Sequence, residues 1–349
     1  MEVPILRVHV TDLKPGDTLS SDTFNTFGIH MMQKGHILQP DDISKLLKHG
    51  LDYVDIEEIV ITDDNEPHHS LIEAKVQFDT ALVGFENLFL NAASRGEFDG
   101  SQVDAMLEPL MDELHTQKDV VSVLFVLNDT NNYTYTHSLQ VGMLSYYLAI
   151  WMGYTEQEAY AAGRAGYLHD VGKAKVPPEI LNKPGKLTPE EYEIMKKHAQ
   201  YGHDIIMEST GDELSAIVAL QHHERADGKG YPNGITLDDI HPYARITAVA
   251  DIYSAMTTHR VYQSKQELLR VLKEIHRMSF GQLYAEAAQT FIRNMLPNMI
   301  GKKVRLNSGE TGRIIMTNPT DYFRPLIETE QGFKDLSMQS ALEIEEIFI

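Results

Sequence analysis

No cysteine occurs in the 349 residues. Disulfides and thiolate metal sites are excluded, so any metal is held by nitrogen and oxygen. The absence also fits a reducing compartment. Long apolar runs are missing too. The longest, around residues 144–152, falls short of the roughly 20 residues that cross a bilayer, so no membrane span is expected. The first ten residues include Glu2, Arg7 and His9. They lack the basic and apolar blocks of a signal peptide, which points to a cytoplasmic location. Basic charge is scarce: 30 Lys and Arg stand against 51 Asp and Glu, a formal net charge of −21. So acidic a surface repels phosphate backbones, which argues against nucleic-acid polymers and anionic membranes as partners. A small anionic substrate stays open, because a metal cluster reverses the field inside one cleft. There is no Walker-type glycine loop, no zinc-protease His-Glu-x-x-His and no dinucleotide fingerprint.

Apolar residues make up 42% and charged residues 23%, enough for a packed core and against disorder. Residues 1–65 read as a small α/β module. Strand-like runs lie at 5–10 and 53–61, a short helix at 40–49, and Gly50 stops it. Residues 63–67 are polar and turn-rich and read as a linker. Helical spacing follows over 71–95 (Leu82, Phe85, Leu88) and 101–128 (Val103, Met106, Leu110, Leu114). From 134 to 296 nearly every segment reads as helix. Capping boxes are expected at Thr155 with Glu158, Thr188 with Glu191 and Ser264 with Glu267. Loops at 174–187 and 227–243 interrupt this region and are placed to border a site. After Pro297 the pattern turns to strands at 303–307, 312–317, 325–328 and 343–349. The expected architecture is mainly α. It divides into an α/β module (1–65), linking helices (66–128), a helical domain (129–298) and a small β domain (299–349).

The chain has 16 histidines, and five of those in the helical middle fall in a distinctive order. His137 is followed by the pair His169-Asp170, then His198, then the pair His222-His223, then Asp251 inside an apolar helix. Imidazole and carboxylate suit iron, manganese, cobalt, nickel or zinc. A carboxylate next to a histidine can bridge two metals. Adjacent histidines point about 100° apart on a helix, so His222 and His223 converge only at a helix end or kink. His203, five residues past His198 and about 140° round the helix from it, is set aside. Two close cations can acidify a bridging water and aim the hydroxide at phosphorus, while neutralising charge on the phosphoryl oxygens.

These residues resemble the HD-GYP branch of the HD phosphohydrolases. Residues 168–173, Leu-His-Asp-Val-Gly-Lys, resemble the family's HD-x-GK element. Residues 222–232, from His222-His223-Glu224 through Asp227-Gly228 to Gly230-Tyr231-Pro232, resemble its HHE-x-x-DG-x-GYP signature. His137, His198 and the segment around Asp251 match the remaining family positions, and the resemblance covers about residues 125–296. It implies a helical HD domain that hydrolyses cyclic di-GMP to the linear dinucleotide or GMP through a hydroxide activated by two divalent metal ions, iron or manganese first. One metal would take His137, His169, Asp170 and Asp251. The other would take Asp170, His198, His222 and His223, with Asp170 bridging. Lys173 would steady a phosphate oxygen, though it also fits as a lysine answering a helix dipole. Gly230, Tyr231 and Pro232 would shape the substrate loop. Arg260 would contact a phosphate or form a surface ion pair.

The sequence also departs from the family. Tyr133 stands where members with a third metal carry Glu, so two metals are expected. Ser254 replaces a usual acid, and His259 and Val261 replace a usual acid and proline. Two other readings compete with hydrolysis of cyclic di-GMP. One is a phosphodiesterase on another cyclic dinucleotide. The other is a non-catalytic sensor or partner-docking module, whose mark would be lost ligands, and none is lost. The helices at 71–128 offer faces for pairing two copies. The terminal modules are candidates for regulation by signalling-protein partners, or for simply covering helical surface.

Overall fold

The computed structural model describes residues 5–10, 13, 17–24, 30–38, 42, 45–46, 51, 53–57, 67–116, 120, 133–257, 268–318 and 321–348. Two compact units divide the chain, Met1–Glu66 and Pro67–Ile349.

In the first unit, β1 (Ile5–His9) pairs antiparallel with β4 (Tyr53–Glu57), Ile5 opposite Glu57 and His9 opposite Tyr53. Both strands lie where branched residues concentrate. A second pair, β2 (Thr23–Phe24) with β3 (His30–Met32), escapes sequence reading because elements this short carry no periodicity. Thr23 secures it: its hydroxyl donates to Met32 O at 3.3 Å and accepts from Met32 N at 3.1 Å. Val10, Leu19, Leu38, Leu46, Val54 and Ile56 form the core. Within the expected helix at 40–49, the described residues Asp42, Lys45 and Leu46 are helical. The rest of that segment, and residues 58–61 of the expected strand, lie outside the described residues.

The second unit is helical. It runs through α1 (Pro67–Arg95), α2 (Ser101–Thr116), α3 (Tyr133–Trp151), α4 (Glu156–Leu168), a 3-10 turn (Val171–Lys175), α5 (Pro178–Leu181), α6 (Pro189–Lys196), α7 (His198–Thr210), α8 (Glu213–Gln221), α9 (Pro242–Thr257), α10 (Leu268–Met278) and α11 (Ala285–Met295). The centre is α3, where every residue from 136 to 149 is buried. A helix apolar on all sides belongs inside a bundle, and α4 and α9 pack against α3. Burying one of its leucines contributes about 1.5–3 kcal/mol. The capping boxes Thr155–Glu158 and Thr188–Glu191 both form. The one at Ser264 lies outside the described residues. The two expected loops each hold a short element, α5 in the first and a 3-10 turn (Leu237–Asp239) in the second. Four residues bounded by prolines are too few to show helical spacing.

The C-terminal sheet has five antiparallel strands in the order β8-β7-β6-β5-β9. They are β5 (Lys303–Leu306), β6 (Thr311–Met316), β7 (Leu326–Thr329), β8 (Gly332–Asp335) and β9 (Ile344–Phe348). Val304 and Leu306 point into the core and their neighbours outward, the alternation that marks a half-buried strand. The sequence expectation of four strands misses β8. This edge strand buries none of its residues and so has no alternation to read. No helix of the described residues is long and apolar enough to cross a membrane.

Candidate metal centre and its loop

Six helix ends or helix faces converge on one buried cluster. His137 comes from the first turns of α3, and His169 caps the C-terminus of α4. Asp170 begins the 3-10 turn, and His198 opens α7. His222 caps α8, with His223 just beyond it. Asp251 projects from the middle of α9. The neighbouring histidines therefore converge because the helix ends between them. Their rings lie 4.0 Å apart at 45°.

Two groups of donor atoms each lie within 4.8 Å of one another: His137, His169 and Asp251, and Asp170, His198, His222 and His223. Asp170 faces both. Its Oδ2 is 3.3 Å from His169 Nε2 and 3.7 Å from His137 Nε2. Its Oδ1 is 3.4 Å from His198 Nε2 and 3.9 Å from His222 Nε2. Asp251 lies 3.1 Å from His137 Nε2 and 3.8 Å from His223 Nδ1. His203 stays outside, paired with Asp204.

Hydrogen bonds on the far side of four of the five rings fix their tautomers. His169 Nδ1 donates to Gly166 O at 2.6 Å, His198 Nδ1 to Met195 O at 2.7 Å, and His222 Nδ1 to Ala219 O at 2.8 Å. A carbonyl oxygen only accepts, so the proton sits on Nδ1 and each Nε2 presents a lone pair to the cluster. His137 Nδ1 donates to Ser254 Oγ at 3.0 Å, and that hydroxyl donates to Gln140 Oε1 at 3.0 Å.

Electrostatics keep the set ready for a cation. Burial lowers the pKa of His137 and His198 and drives that of His222 well down. Burial takes His223 to about 3. Burial opposes charge on Asp170, but the Lys173 ammonium, His169 and His198 outweigh it and hold the carboxyl well below its usual range. Asp251 is likewise depressed against its burial by His137, His223 and His169. His169 goes the other way: burial disfavours its charged form, yet Asp170 and Asp251 raise its pKa above the ordinary value.

The residues fit a metal. Among the described residues, His169 Nε2 and Asp170 Oδ1 are buried without a hydrogen-bond partner. His198 and His222 bring two lone pairs to 3.4 Å. Such an arrangement is repulsive unless a positive charge lies within it.

The loop after His223 is anchored from below. The buried Glu224 carboxylate accepts from three backbone amides, Asn233 at 2.7 Å, Gly234 at 3.1 Å and Ile235 at 3.2 Å. A Cβ at Gly230 would sit 2.5 Å from the backbone of residues 223–225, so only glycine allows the loop to fold back. Tyr231 follows, its ring 4.6 Å from that of His223, and its peptide bond to Pro232 is cis. Burial raises the Tyr231 pKa, which keeps its hydroxyl a donor. Lys173 contacts Asp170 directly. Arg260 lies outside the described residues. Sequence reading did not assign Glu224, Gln140 or Ser254 these supporting roles. Spacing carried a signal: Gln140 and Ser254 each lie three residues past a cluster residue, on the same helix face.

Residues 123–284 match the HD domain family model. A cyclic di-GMP phosphodiesterase of Thermotoga maritima is 39% identical over 197 residues, covering 54% of this chain and 53% of that protein. A cyclic di-GMP phosphodiesterase of Pseudomonas aeruginosa is 30% identical over 245 residues, 69% of this chain and 58% of that protein. A 3'3'-cGAMP-specific phosphodiesterase of Vibrio cholerae is 38% identical over 157 residues, 44% of this chain and 30% of that protein. The chain thus spans less than two thirds of each of these three relatives. A solved HDG"Y"P protein from Bdellovibrio bacteriovorus shares the fold with a TM-score of 0.50 at 18% identity, covering 82% of this chain and 98% of that one. The helical bundle, the His-Asp cluster and the loop at 222–232 agree with the HD domain match: residues 123–284 carry an HD domain, and the chain is similar to phosphodiesterases of the HD-GYP type.

Proposed function

We propose that this chain is a cytoplasmic, metal-dependent phosphodiesterase that hydrolyses cyclic di-GMP to linear pGpG, to GMP, or to both in turn. The observation that carries the reading is the position of Asp170. Its Oδ1 lies 3.4 Å from His198 Nε2, while its Oδ2 lies 3.3 Å from His169 Nε2. One carboxylate facing two nitrogen groups is the arrangement that bridges two cations, where a single cation needs only one oxygen.

The set would hold two divalent ions, iron or manganese. His137, His169, Asp170 and Asp251 would take one, and Asp170, His198, His222 and His223 the other. When bound, such a pair supplies positive charge beside the phosphate and lowers the pKa of a water.

The chain's own residues bind and orient the substrate. Lys173 would hold a phosphate oxygen with its ammonium, beside the carboxylate it already contacts. Gly230 lets the substrate loop fold back onto residues 223–225, and Pro232 fixes the turn that sets Tyr231. The Tyr231 ring offers a stacking surface and its hydroxyl a donor. Arg260 would contact a phosphate. In the reaction, water adds to phosphorus as the P–O3′ bond breaks. The leaving 3′ oxygen takes a proton and pGpG forms; a second water gives two GMP. Residues 129–298 would form the catalytic domain, with 1–65 and 299–349 regulating it.

A second substrate, 3'3'-cGAMP, is favoured by the Vibrio cholerae relative at 38% identity. The deciding experiment incubates purified protein with each cyclic dinucleotide, with Mn²⁺ and with anaerobic Fe²⁺, and separates products by chromatography. Linear dinucleotide or GMP, absent with chelator, is expected. Tight binding with metal present and no product would replace the enzyme with a sensor.

A further inference from the structure

The surface helix α6 buries none of its residues, yet it carries an aromatic side chain that no core contact requires. Tyr192 is 48% exposed. Its helix is nonetheless held firmly. The Thr188–Glu191 capping box fixes the start, and Lys183 Nζ reaches the two Glu191 oxygens at 2.6 and 2.8 Å. Tyr192 and Lys196 lie one turn apart on the same face. The Lys196 ammonium is 5.4 Å from the Tyr192 ring centroid and 5.9 Å from that of Tyr231. The two tyrosine rings meet edge to face at 6.3 Å. Tyr231 in turn lies 4.6 Å from the His223 ring. A run of flat rings therefore leads from the buried cluster to the surface, with one cation seated between the outer two.

We infer that Tyr192 and Lys196, together with Tyr231, form a guanine subsite for the dinucleotide, a proposal that rests on the phosphodiesterase reading. An exposed ring stacks on any base, so Tyr192 contributes affinity without selecting. Selection falls to Lys196. Guanine presents two acceptors, O6 and N7, to a cation, whereas adenine pairs its N7 with an amino donor that a cation repels. Lys196 already bonds Glu193 at 2.7 Å, but an ammonium carries three donors, and a pair with so exposed a carboxylate is weakly held.

The test measures equilibrium binding and steady-state kinetics of the metal-loaded full chain with cyclic di-GMP and cyclic di-AMP. Metal content is read in the same samples. Tyr192→Ala is expected to weaken cyclic di-GMP binding roughly tenfold, and Tyr192→Trp to restore it. Lys196→Met is expected to cut the preference for cyclic di-GMP over cyclic di-AMP by roughly tenfold. A wild type that neither binds nor cleaves cyclic di-GMP overturns the cyclic di-GMP phosphodiesterase reading and this subsite with it. A wild type that cleaves cyclic di-GMP, with both variants keeping its affinity and preference, overturns the subsite alone. So does a loss of metal in the variants that accounts for the weaker binding, which would make α6 a structural support.

Discussion

Ser254 Oγ accepts a hydrogen bond from His137 Nδ1 at 3.0 Å and donates one to Gln140 Oε1 at 3.0 Å. It thereby turns the His137 Nε2 lone pair toward Asp251, 3.1 Å away. At the other clustered histidines whose Nδ1 donates, the acceptor is a backbone carbonyl, which mutation cannot remove. Here it is a side chain. Ser254→Ala should weaken metal binding at the His137, His169 and Asp251 group by about 10–100-fold, while Ser254→Thr retains most of it. Metal titration of the purified variants checks this; equal affinities would leave Ser254 without a role in positioning His137.

Asp170 stands between the two donor groups. Asp170→Ala should abolish hydrolysis and lower metal content at both groups, because it removes the carboxylate they share. Elemental analysis alongside product chromatography is the measurement. Full metal occupancy with wild-type turnover would end the bridging assignment.

Lys173→Ala separates charge from ligation. The ammonium contacts Asp170, but while protonated it has donors only and no lone pair for a metal. Metal content should hold while turnover drops, by roughly tenfold or more if one charge-assisted contact of about 1.5–3 kcal/mol is lost. Unchanged kinetics would return this lysine to a purely structural role.

Gly172 packs the 3-10 turn onto α7. A Cβ there would sit 2.0 Å from His198 O and 2.3 Å from Gly202 N. Gly172→Ala must push the turn carrying Asp170 away from the helix carrying His198. The expected cost is about 1–3 kcal/mol of stability, together with weaker metal binding. Thermal unfolding and metal titration, both unaltered, would contradict the close packing.

Glu224 is a loop anchor and not a member of the metal cluster. Glu224→Gln keeps the shape but loses the charge that three amides share. Metal content should stay near wild type. Exchange of the Asn233, Gly234 and Ile235 amides should quicken, and KM should rise several-fold as the Tyr231 loop loosens. Amide exchange as slow as in the wild type would show that the loop holds itself.

Local chemistry made much of this protein legible before any coordinates. The helix starts at Glu156 and Pro189 were readable because a capping box is a local arrangement of four residues. The donor types of the cluster were readable because a chain without cysteine has no thiolate to offer and is rich in histidine and carboxylate. The spaced histidines and aspartates gave the set, and the helix-end requirement on His222 and His223 followed from 100° per residue. Tertiary structure decided what spacing cannot. It brought His137 and Ser254 together across 117 residues. It turned the two oxygens of Asp170 toward different histidines, and it set Tyr192 against Tyr231 from a separate helix. Strand β8 also needed its partner, since an edge strand with no buried face has no pattern of its own. The division is physical. Periodicity and capping depend on neighbours a few residues apart, while the site depends on which helix ends the packed core forces to one point.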